Sequence, residues 1–370
     1  MRILIAGDFC PRDRVAALIE KEDYASVLGE VKDIVSQADY AIVNFECPVT
    51  NGGEKPITKV GPNLQCSEKG MEAVKWAGFD CVTLGNNHFY DFGEEGVQHT
   101  MEACNKYGMD SVGGGANLAE ASKILYKQIG GQMLAIINCC EHEFSIATET
   151  TGGSNPLNPI QQYYAIKEAK AKADYVLVIV HGGHELFQLP SPRMVEAYHF
   201  FIDAGADAVV NHHQHCYSGY EVYGGKPIFY GLGNFCFDNP NKHEGIWIEG
   251  FLVSIEFSCK NSLFEIHPYR QCADAPNIKL LPLNSFEASI LELNTIIVNP
   301  DELENMVNDY YTTIARFHSN IFEPFFNRYY LAAKGRGWMP SFISSRRKKS
   351  AKDYVVCEAH RDVLIHWLMQ

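Results

Sequence analysis

The fold is decided by a stretch that reads Cys81-Val82-Thr83-Leu84-Gly85-Asn86-Asn87-His88. Its first four residues are apolar or β-branched and predict a short buried strand over residues 81–84. Its last four residues are small or polar and predict a loop. A helical pattern over residues 93–107 follows at a short loop distance. The stretch therefore predicts a strand that leads polar side chains into a loop before a helix.

The same alternation of strand and helix recurs along the chain. Further β-rich runs lie at residues 2–6, 40–45, 133–138, 175–180, 208–211 and 227–230. Further helical patterns lie at residues 68–77 and 192–204, and the second begins with a proline in its first turn. This alternation predicts an α/β fold. Residues 251–257 and 263–269 have no helix between them and predict a hairpin at the edge of a mixed or antiparallel sheet.

Two long loops and a change of character divide the chain. The loops, residues 47–67 and 141–159, are rich in turn-forming residues, and such loops often serve as lids or substrate walls. After about residue 284 the sequence becomes helical and aromatic, with predicted helices at 300–318, 321–333 and 350–369. We therefore predict one domain over residues 1–284 and a helical C-terminal extension over residues 285–370. The basic stretch at 346–349 is interpreted as a solvated linker, with contact to a polyanion as the alternative.

Composition and charge exclude several classes of protein. The 370 residues are 46% hydrophobic, enough for a large core. The formal net charge of −14 argues against a general binder of nucleic acid or anionic membranes, since both need a basic face. The twelve cysteines include no Cys-x-x-Cys pair and predict buried reduced thiols. The apolar run before Gly7 is too short for a signal peptide or a membrane span, so we expect a cytoplasmic protein.

Potential metal ligands follow five of the predicted strands. They are Asp8, Glu46, Asn87 with His88, His181, and His213 with His215. In α/β folds the carboxyl ends of strands converge on one crevice. Each residue alone is more often a cap, a turn residue or a core residue, but the joint pattern predicts a common site. Carboxylate, amide oxygen and imidazole together suit manganese, iron, zinc or nickel.

The order of the motifs resembles one known family. The motifs are Gly7-Asp8, Asn44-Phe45-Glu46, Gly85-Asn86-Asn87-His88 with Asp91 and Gly93, His181-Gly182-Gly183-His184-Glu185, His212-His213-Gln214-His215 and the run at residues 225–235. They resemble the CapA family of bacterial capsule and poly-γ-glutamate biosynthesis, within the calcineurin-like metallophosphoesterase superfamily. The motifs cover roughly residues 1–238. The resemblance implies a four-layer α/β/β/α sandwich of two mixed sheets.

The resemblance also implies two divalent metal ions. Asp8 and His215 would hold one ion, Asn87, His181 and His213 the other, and Glu46 would bridge them. Two cations roughly 3.5–4 Å apart need a shared anion, and together they turn a bound water into a nucleophile. Many superfamily members begin with Asp-x-His, whereas here Cys10 stands at the histidine position and is predicted to be a buried neutral thiol. Glu46 replaces the usual Asp, in agreement with the CapA branch.

Further residues receive roles around this centre. His88 would face the leaving group and donate a proton to it. Asp91 would either orient the His88 imidazole or cap the helix that begins at Gly93. The candidates for binding an anionic substrate are Arg12, Glu185 and Arg193. Asn234 is a candidate brace for the loop that carries His213 and His215. Lys59 lies on the long loop over residues 47–67 and could reach the site, but it is interpreted as an ordinary solvated lysine.

Three functions fit these observations. The first is a metal-dependent hydrolase that acts on a phosphoester, or on a related acyl or amide bond, of an anionic polymer precursor. The second is an accessory protein that binds polymer or partner enzymes during capsule-type synthesis or export. His88 favours the first, because a pure binder has no use for a proton donor beside metal ligands. The third, a nucleotide or sugar phosphatase, needs a base pocket that the sequence does not identify.

Overall fold

The computed structural model describes residues 1–59, 61–258, 262–318, 327–345 and 348, and only the backbone of residues 314–318. The chain divides into two compact units, Met1–Leu303 and Glu304–Gln370. The predicted domain limit at residue 284 precedes a helix, Glu287–Ile297, that belongs to the first unit. A separate helical extension from residue 285 onward therefore stays a prediction.

The secondary structure of the described residues alternates as an α/β fold requires. The strands are β1 (Arg2–Cys10), β2 (Tyr40–Phe45), β3 (Cys81–Thr83), β4 (Asp110–Val112), β5 (Gly114–Gly115), β6 (Leu125–Ile129), β7 (Gln132–Cys140), β8 (Gly153–Ser154), β9 (Tyr175–His181), β10 (Ala208–His212), β11 (Tyr220–Tyr223), β12 (Lys226–Phe229), β13 (Asn234–Phe237), β14 (Glu249–Glu256), β15 (Leu263–Gln271) and β16 (Ile278–Leu280). The helices are α1 (Asp13–Ile19), α2 (Tyr24–Leu28), α3 (Lys32–Ser36), α4 (Lys69–Ala77), α5 (Gly93–Tyr107), α6 (Leu118–Ala121), α7 (Pro159–Lys172), α8 (Pro192–Ala204), α9 (Glu287–Ile297), α10 (Pro300–His318) and α11 (Arg328–Gly335).

The strands form two mixed sheets. The first has the order β16-β15-β14-β1-β2-β3-β4, and β13 also pairs with β1. Its strands β1 to β4 run parallel, whereas β14 to β16 are antiparallel. The second has the order β11-β12-β10-β9-β7-β6, with parallel central strands and an antiparallel strand at each edge. The central strands are continuous apolar runs because both of their faces are buried.

Two apolar cores separate the layers. One core lies between the sheets, where residues of β1 such as Ile3 and Ile5 share a cluster with residues of β9 such as Leu177 and Ile179. The other lies between the opposite face of the first sheet and the helices α1 to α5. Helices α7 and α8 pack on the second sheet. The predicted four-layer α/β/β/α sandwich is therefore confirmed.

Most predicted elements are present, with two corrections. The predicted bounds of β2, α5 and α8 match the observed ones. The predicted hairpin is confirmed as the antiparallel pair β14 and β15, but its edge position is wrong, because β14 also pairs with β1 and β15 with β16. The helices α1 to α3, α6 and α7 were not predicted, although the apolar residues of α1 to α3 join the first core. The ten cysteines in the described part of the chain are buried and free, as predicted.

The described part of the second unit contains helix α11 and most of helix α10. The predicted helix over residues 300–318 is confirmed as α10, which begins in the first unit. Asn327 caps α11 by accepting hydrogen bonds from two backbone N–H groups, and Tyr330 stacks on Phe342 at 5.6 Å. Residues 321–326, the predicted helix over 350–369 and all of the basic stretch except Lys348 lie outside the described residues. Across the described ranges, we find no helix with the length and apolar character needed to cross a bilayer.

Candidate metal centre

The carboxyl ends of strands from both sheets meet at one buried cluster. The cluster contains two sets of three residues. Within each set the ligand atoms all lie within 4.8 Å of one another, and every residue is buried. The sets are Asp8, Glu46 and His215, here called the first ligand group, and Glu46, His181 and His213, here called the second ligand group. Asp8 lies in β1, Glu46 directly follows β2 and His181 ends β9. Side chains far apart in the sequence are thus brought together, and Glu46 belongs to both groups.

Glu46 is the most demanding member of the cluster. Its side chain is 0% exposed, and within the described residues neither carboxylate oxygen has a hydrogen-bond partner. Burial, followed by the nearby Asp8 carboxylate, raises the pKa of Glu46 well above its usual value. Its Oε1 lies 3.6 Å from His181 Nε2 and 3.8 Å from His215 Nε2. A buried carboxylate without a donor is costly, and cations shared with these imidazoles would satisfy it.

The second ligand group gathers four ligand atoms when Asn87 is included. His181 Nε2 lies 3.0 Å from Asn87 Oδ1 and 3.1 Å from His213 Nδ1. Two ligands that share one ion at about 2.0–2.1 Å each lie about 3 Å apart. The predicted ligands Asn87, His181 and His213 are therefore arranged as one ion would require.

In the first ligand group, Asp8 is oriented by groups inside the core. Its Oδ1 accepts a hydrogen bond from Asn44 Nδ2 at 2.7 Å, and its Oδ2 accepts one from the backbone N–H of His213 at 3.3 Å. Burial raises the pKa of Asp8 to about 7. The preceding Gly7 is required by packing, because a Cβ there would lie 1.9 Å from the Gly233 carbonyl oxygen. The close approach of these two backbones lets the Asp8 backbone N–H donate to the Gly233 carbonyl oxygen at 3.3 Å, while the parallel pairing of β1 with β2 places Asp8 beside Asn44.

The third member of the first ligand group, His215, is braced by Asn234. His215 Nδ1 donates to Asn234 Oδ1 at 2.9 Å, which leaves Nε2 to face Glu46. Asn234 Nδ2 donates in turn to the carbonyl oxygens of His215 and Trp247. His213 and His215 have φ angles of 94° and 54°, in the left-handed region that non-glycine residues seldom adopt. The strained loop after β10 is thus held in place by Asn234.

The imidazoles of the cluster are in the form that binds metals. Burial lowers the pKa of His215 to about 3 and that of His181 well below its usual value. Burial also lowers the pKa of His212 to about 3, and neither of its ring nitrogens has a partner among the described residues. Neutral imidazoles offer a lone pair without first losing a proton. Together with the unsatisfied Glu46, this donor set fits divalent cations.

Beside the ligand groups, His88 belongs to a buried network. His88 Nδ1 lies 2.6 Å from Asp91 Oδ2, which also accepts a hydrogen bond from the backbone N–H of Leu64 at 2.7 Å. Asp91 does not cap helix α5, whose N-cap is Phe92, so of its two predicted roles the structure favours orienting His88. Lys59 pairs with the other oxygen of Asp91 and lies 3.1 Å from His88 Nδ1. The interpretation of Lys59 as a solvated lysine is wrong, since its side chain is 2% exposed.

Residues that sequence reasoning missed lie on the loops and strand ends. Glu143 accepts a hydrogen bond from Asn87 Nδ2 at 3.0 Å and lies 3.7 Å from His213 Nε2. Its loop follows β7, whose end pairs with His181, so its position after a strand end was a usable signal. Asn44 contacts both Asp8 and His181, and its place in the motif before Glu46 was a similar signal. Lys59 had no such signal.

Two of the candidate substrate residues form ion pairs of their own. Arg12 pairs with Asp13 at 2.7 Å, and Arg193 pairs with Glu141 at 2.5 Å. Glu185 is exposed and lies close enough to contribute to the raised pKa of Glu46. Their part in binding a substrate stays a prediction. Cys10, predicted as a buried thiol, is buried and belongs to neither ligand group.

Comparison with known proteins agrees with the motifs. The family described as bacterial capsule synthesis protein PGA_cap matches residues 2–239. The chain is 33% identical over 246 residues to the capsule biosynthesis protein CapA of Bacillus anthracis, covering 64% of this chain and 60% of that protein. It is 29% identical over 225 residues to the probable polyglutamine synthesis accessory protein Rv0574c of Mycobacterium tuberculosis (strain ATCC 25618 / H37Rv), covering 56% of this chain and 57% of that protein. The match thus spans less than two thirds of either relative.

Among solved structures, a 5'-nucleotidase precursor from Thermus thermophilus superposes with a TM-score of 0.43 at 13% identity, covering 79% of this chain and 57% of that chain. The family match extends over most of the strands of both sheets and over both ligand groups. It includes every motif on which the resemblance was based. The chain therefore belongs to the bacterial capsule synthesis protein PGA_cap family.

Proposed function

We propose that this chain is a metal-dependent hydrolase of the metallophosphoesterase type. Its reaction would cleave a phosphoester, or a related acyl or amide bond, in the metabolism of an anionic polymer such as a capsule or poly-γ-glutamate. One observation carries the proposal: Glu46 is shared by two buried ligand groups and has no hydrogen-bond partner among the described residues. A carboxylate in that position is stabilised by cations on both sides.

The two groups define which residues would hold the ions. One ion would be held by Asp8, His215 and Glu46, and the other by Asn87, His181, His213 and Glu46. Imidazole, carboxylate and amide ligands suit manganese, iron, zinc or nickel. Bound cations would supply Lewis-acid stabilisation of negative charge on a substrate oxygen and would activate water.

The chain's own residues supply the proton chemistry. Because His88 Nδ1 faces Asp91, Nε2 is the nitrogen that would face the leaving group. A ring protonated on both nitrogens would keep its Nδ1–H on Asp91 and transfer its Nε2 proton to the leaving group. Lys59 balances the charge of Asp91, which allows that carboxylate to stay buried beside the imidazole. His88 is also close enough to His181 and His215 to lower their pKa values. The proton donor and the ligand groups thus form one site.

The polymer context is supported by the family and the names of the relatives. The name of the family refers to capsule synthesis, and the name of one relative refers to polyglutamine synthesis. Arg12, Arg193 and Glu185 remain the candidates for contact with an anionic substrate. Capsules and poly-γ-glutamate are anionic, so guanidinium groups would suit such a substrate.

A second candidate function is an accessory protein that binds polymer or partner enzymes without catalysis. The name of the mycobacterial relative, a probable accessory protein, favours it. The network of His88, Asp91 and Lys59 favours the hydrolase, because polymer binding alone does not require a proton donor held beside metal ligands.

The experiment that separates the two functions is metal analysis followed by turnover. The purified chain is loaded with Mn²⁺ or Zn²⁺, and its metal content is measured. Hydrolysis is then followed with an activated phosphodiester, an activated phosphomonoester and a γ-glutamyl amide, with His88→Ala as the matched variant. We expect turnover of at least one substrate and a loss of about 10²–10⁴-fold in His88→Ala at unchanged metal content.

Other outcomes would favour the accessory function or reject the metal centre. A metal-loaded chain without turnover, or with equal turnover in His88→Ala, would contradict the hydrolase. A chain that binds no metal at all would contradict both the ligand assignment and the proposed chemistry.

A further inference from the structure

Glu143 contacts the second ligand group with both of its carboxylate oxygens. We infer that Glu143 is a positioning residue that holds Asn87 and His213 in their ligating orientations and thereby sets the affinity of one of the two ions. The inference rests on the proposed function, because it requires that the second ligand group binds metal. It concerns the ligands of one ion only, since no contact between Glu143 and Asp8 or His215 is present among the described residues.

The first step concerns the side-chain amide of Asn87. An ionised carboxylate only accepts hydrogen bonds, so Glu143 Oε2 selects the NH₂ end of that amide, at 3.0 Å. Asn87 Oδ1 must then point the other way, where it lies 3.0 Å from His181 Nε2. An amide flipped by half a turn would present its NH₂ group to the ion. Glu143 therefore decides whether Asn87 can be a ligand.

The second step concerns the tautomer of His213. Its Nδ1 faces His181 Nε2 at 3.1 Å, whereas its Nε2 lies 3.7 Å from Glu143 Oε1. A carboxylate on the Nε2 side favours the proton there and leaves the Nδ1 lone pair for the ion. One acid thus prepares two ligands.

The third step concerns the loop that carries Glu143. Ser145 Oγ donates to the backbone carbonyl of Asn87 at 2.7 Å and accepts from the backbone N–H of Tyr90 at 3.1 Å. The loop therefore holds Asn87 by its backbone and by its amide. The Glu143 side chain is 36% exposed, whereas those of Asp8 and Glu46 are almost wholly buried. Glu143 is thus the member of this set that solvent and substrate can reach.

The test uses the full chain and Zn²⁺ alone as the probe. Zn²⁺ is titrated against a competing chelator into wild type, Glu143→Ala, Glu143→Gln and a matched control on the same loop, Glu149→Ala, which replaces another exposed acid. We expect wild type and Glu149→Ala each to hold two ions, and we expect the affinity for each ion to be the same in the two proteins. We expect Glu143→Ala to hold one ion as wild type does and the other about 10–100-fold more weakly. Glu143→Gln should be intermediate, because its amide oxygen still accepts from Asn87 but its NH₂ group faces His213.

A second measurement separates positioning from a general structural role. The unfolding temperature of the metal-free chain should be the same in Glu143→Ala and wild type, while its increase on adding Zn²⁺ should be smaller in the variant. Equal affinities for both ions in wild type and Glu143→Ala would overturn the inference and leave the proposed function intact. A wild type that binds no Zn²⁺ would overturn the proposed function itself. Weaker binding of both ions in Glu143→Ala would also reject the inference, because Glu143 would then affect more than the ion of the second ligand group.

Discussion

The two ligand groups share Glu46, and Asn44 contacts a member of each, but their remaining members are oriented by different kinds of residue. Asp8 and His215 are oriented by Asn44 and Asn234, two neutral amides that are themselves buried. In the second group, Asn87 and His213 face Glu143, a charged and partly exposed acid on a loop. Buried amides are fixed by the core around them, whereas a loop acid can move or respond to a ligand. If both groups bind ions as proposed, the first ion would be held more rigidly than the second.

The largest effect is expected from removing what the two groups share. Glu46→Gln should lose both ions and reduce turnover by at least about 10³-fold, since the cations contribute several kcal/mol to transition-state stabilisation. The metal-free variant should be more stable than wild type by about 1–3 kcal/mol, because a neutral amide is easier to bury than an unpartnered carboxylate. Metal analysis and chemical denaturation measure both effects, with the exposed Glu149→Gln as control. Retention of one ion would show that Glu46 belongs to a single group.

The second prediction tests the buried network of His88, Asp91 and Lys59, which lies outside both ligand groups. Lys59→Met leaves Asp91 buried without its cation and should lower the free energy of unfolding by about 3–5 kcal/mol. Turnover should fall while the metal content stays that of wild type, because Lys59 contacts no proposed ligand. The double variant Lys59→Met/Asp91→Asn should recover much of the stability but not the turnover. A loss of metal in Lys59→Met would connect this network to the ligand groups.

The third prediction compares Asn234, which orients His215 from within the core, with Glu143, which contacts Asn87 and His213 from a loop. Asn234→Ala should weaken one ion by about 10–100-fold and also lower the free energy of unfolding of the metal-free chain by about 1–3 kcal/mol, because two buried carbonyls lose their donor. Glu143→Ala should weaken the other ion without the loss of stability. Metal titration and denaturation of the two variants in parallel provide the measurement. Similar stability losses in both would remove the distinction between the two groups.

The smallest effect is expected from Arg193, one of the candidate substrate residues. Arg193 forms an exposed ion pair with Glu141, so Arg193→Ala should change the free energy of unfolding by no more than about 1 kcal/mol. If Arg193 meets the anionic substrate, KM should rise by up to about fivefold, the equivalent of one exposed ion pair, at unchanged kcat and metal content. Steady-state kinetics checks this, with Arg12→Ala as the parallel variant. A change in metal affinity in Arg193→Ala would contradict the separation of Arg193 from the ligand groups.

Much of the fold could be predicted because its signals are local. The central strands are continuous apolar runs, and the ends of helices such as α5 and α8 are marked by glycine or proline. The missed helices α1 to α3 and α6 are short pieces of four to seven residues, too short for a clear helical period. The missed helix α7 has 14 residues, but its buried positions are Gln162, Ile166 and Ala169, which form no apolar stripe in the sequence. The edge position of the hairpin was wrong because strand order depends on contacts between distant segments, such as β1 with β14.

The residue types of the candidate site could be named from the sequence because each proposed ligand lies at or just after a strand end, where an α/β fold collects side chains. The residues that complete the site could not, because they are defined by loops that return to it from elsewhere. In the sequence Lys59 looks like an ordinary surface charge, and Glu143 has only its position after a strand end as a signal. The tertiary structure alone places them against His88 and Asn87.

The sequence alone thus determined the α/β class, the family and the set of ligand types, since these depend on local pattern and motif order. The tertiary structure decided which nitrogen of each imidazole faces the centre and which end of Asn87 points inward. It also decided that Glu46 stands between two groups without a donor among the described residues. These properties depend on distances between segments far apart in the chain and on burial from water, and neither is encoded in any one stretch of residues.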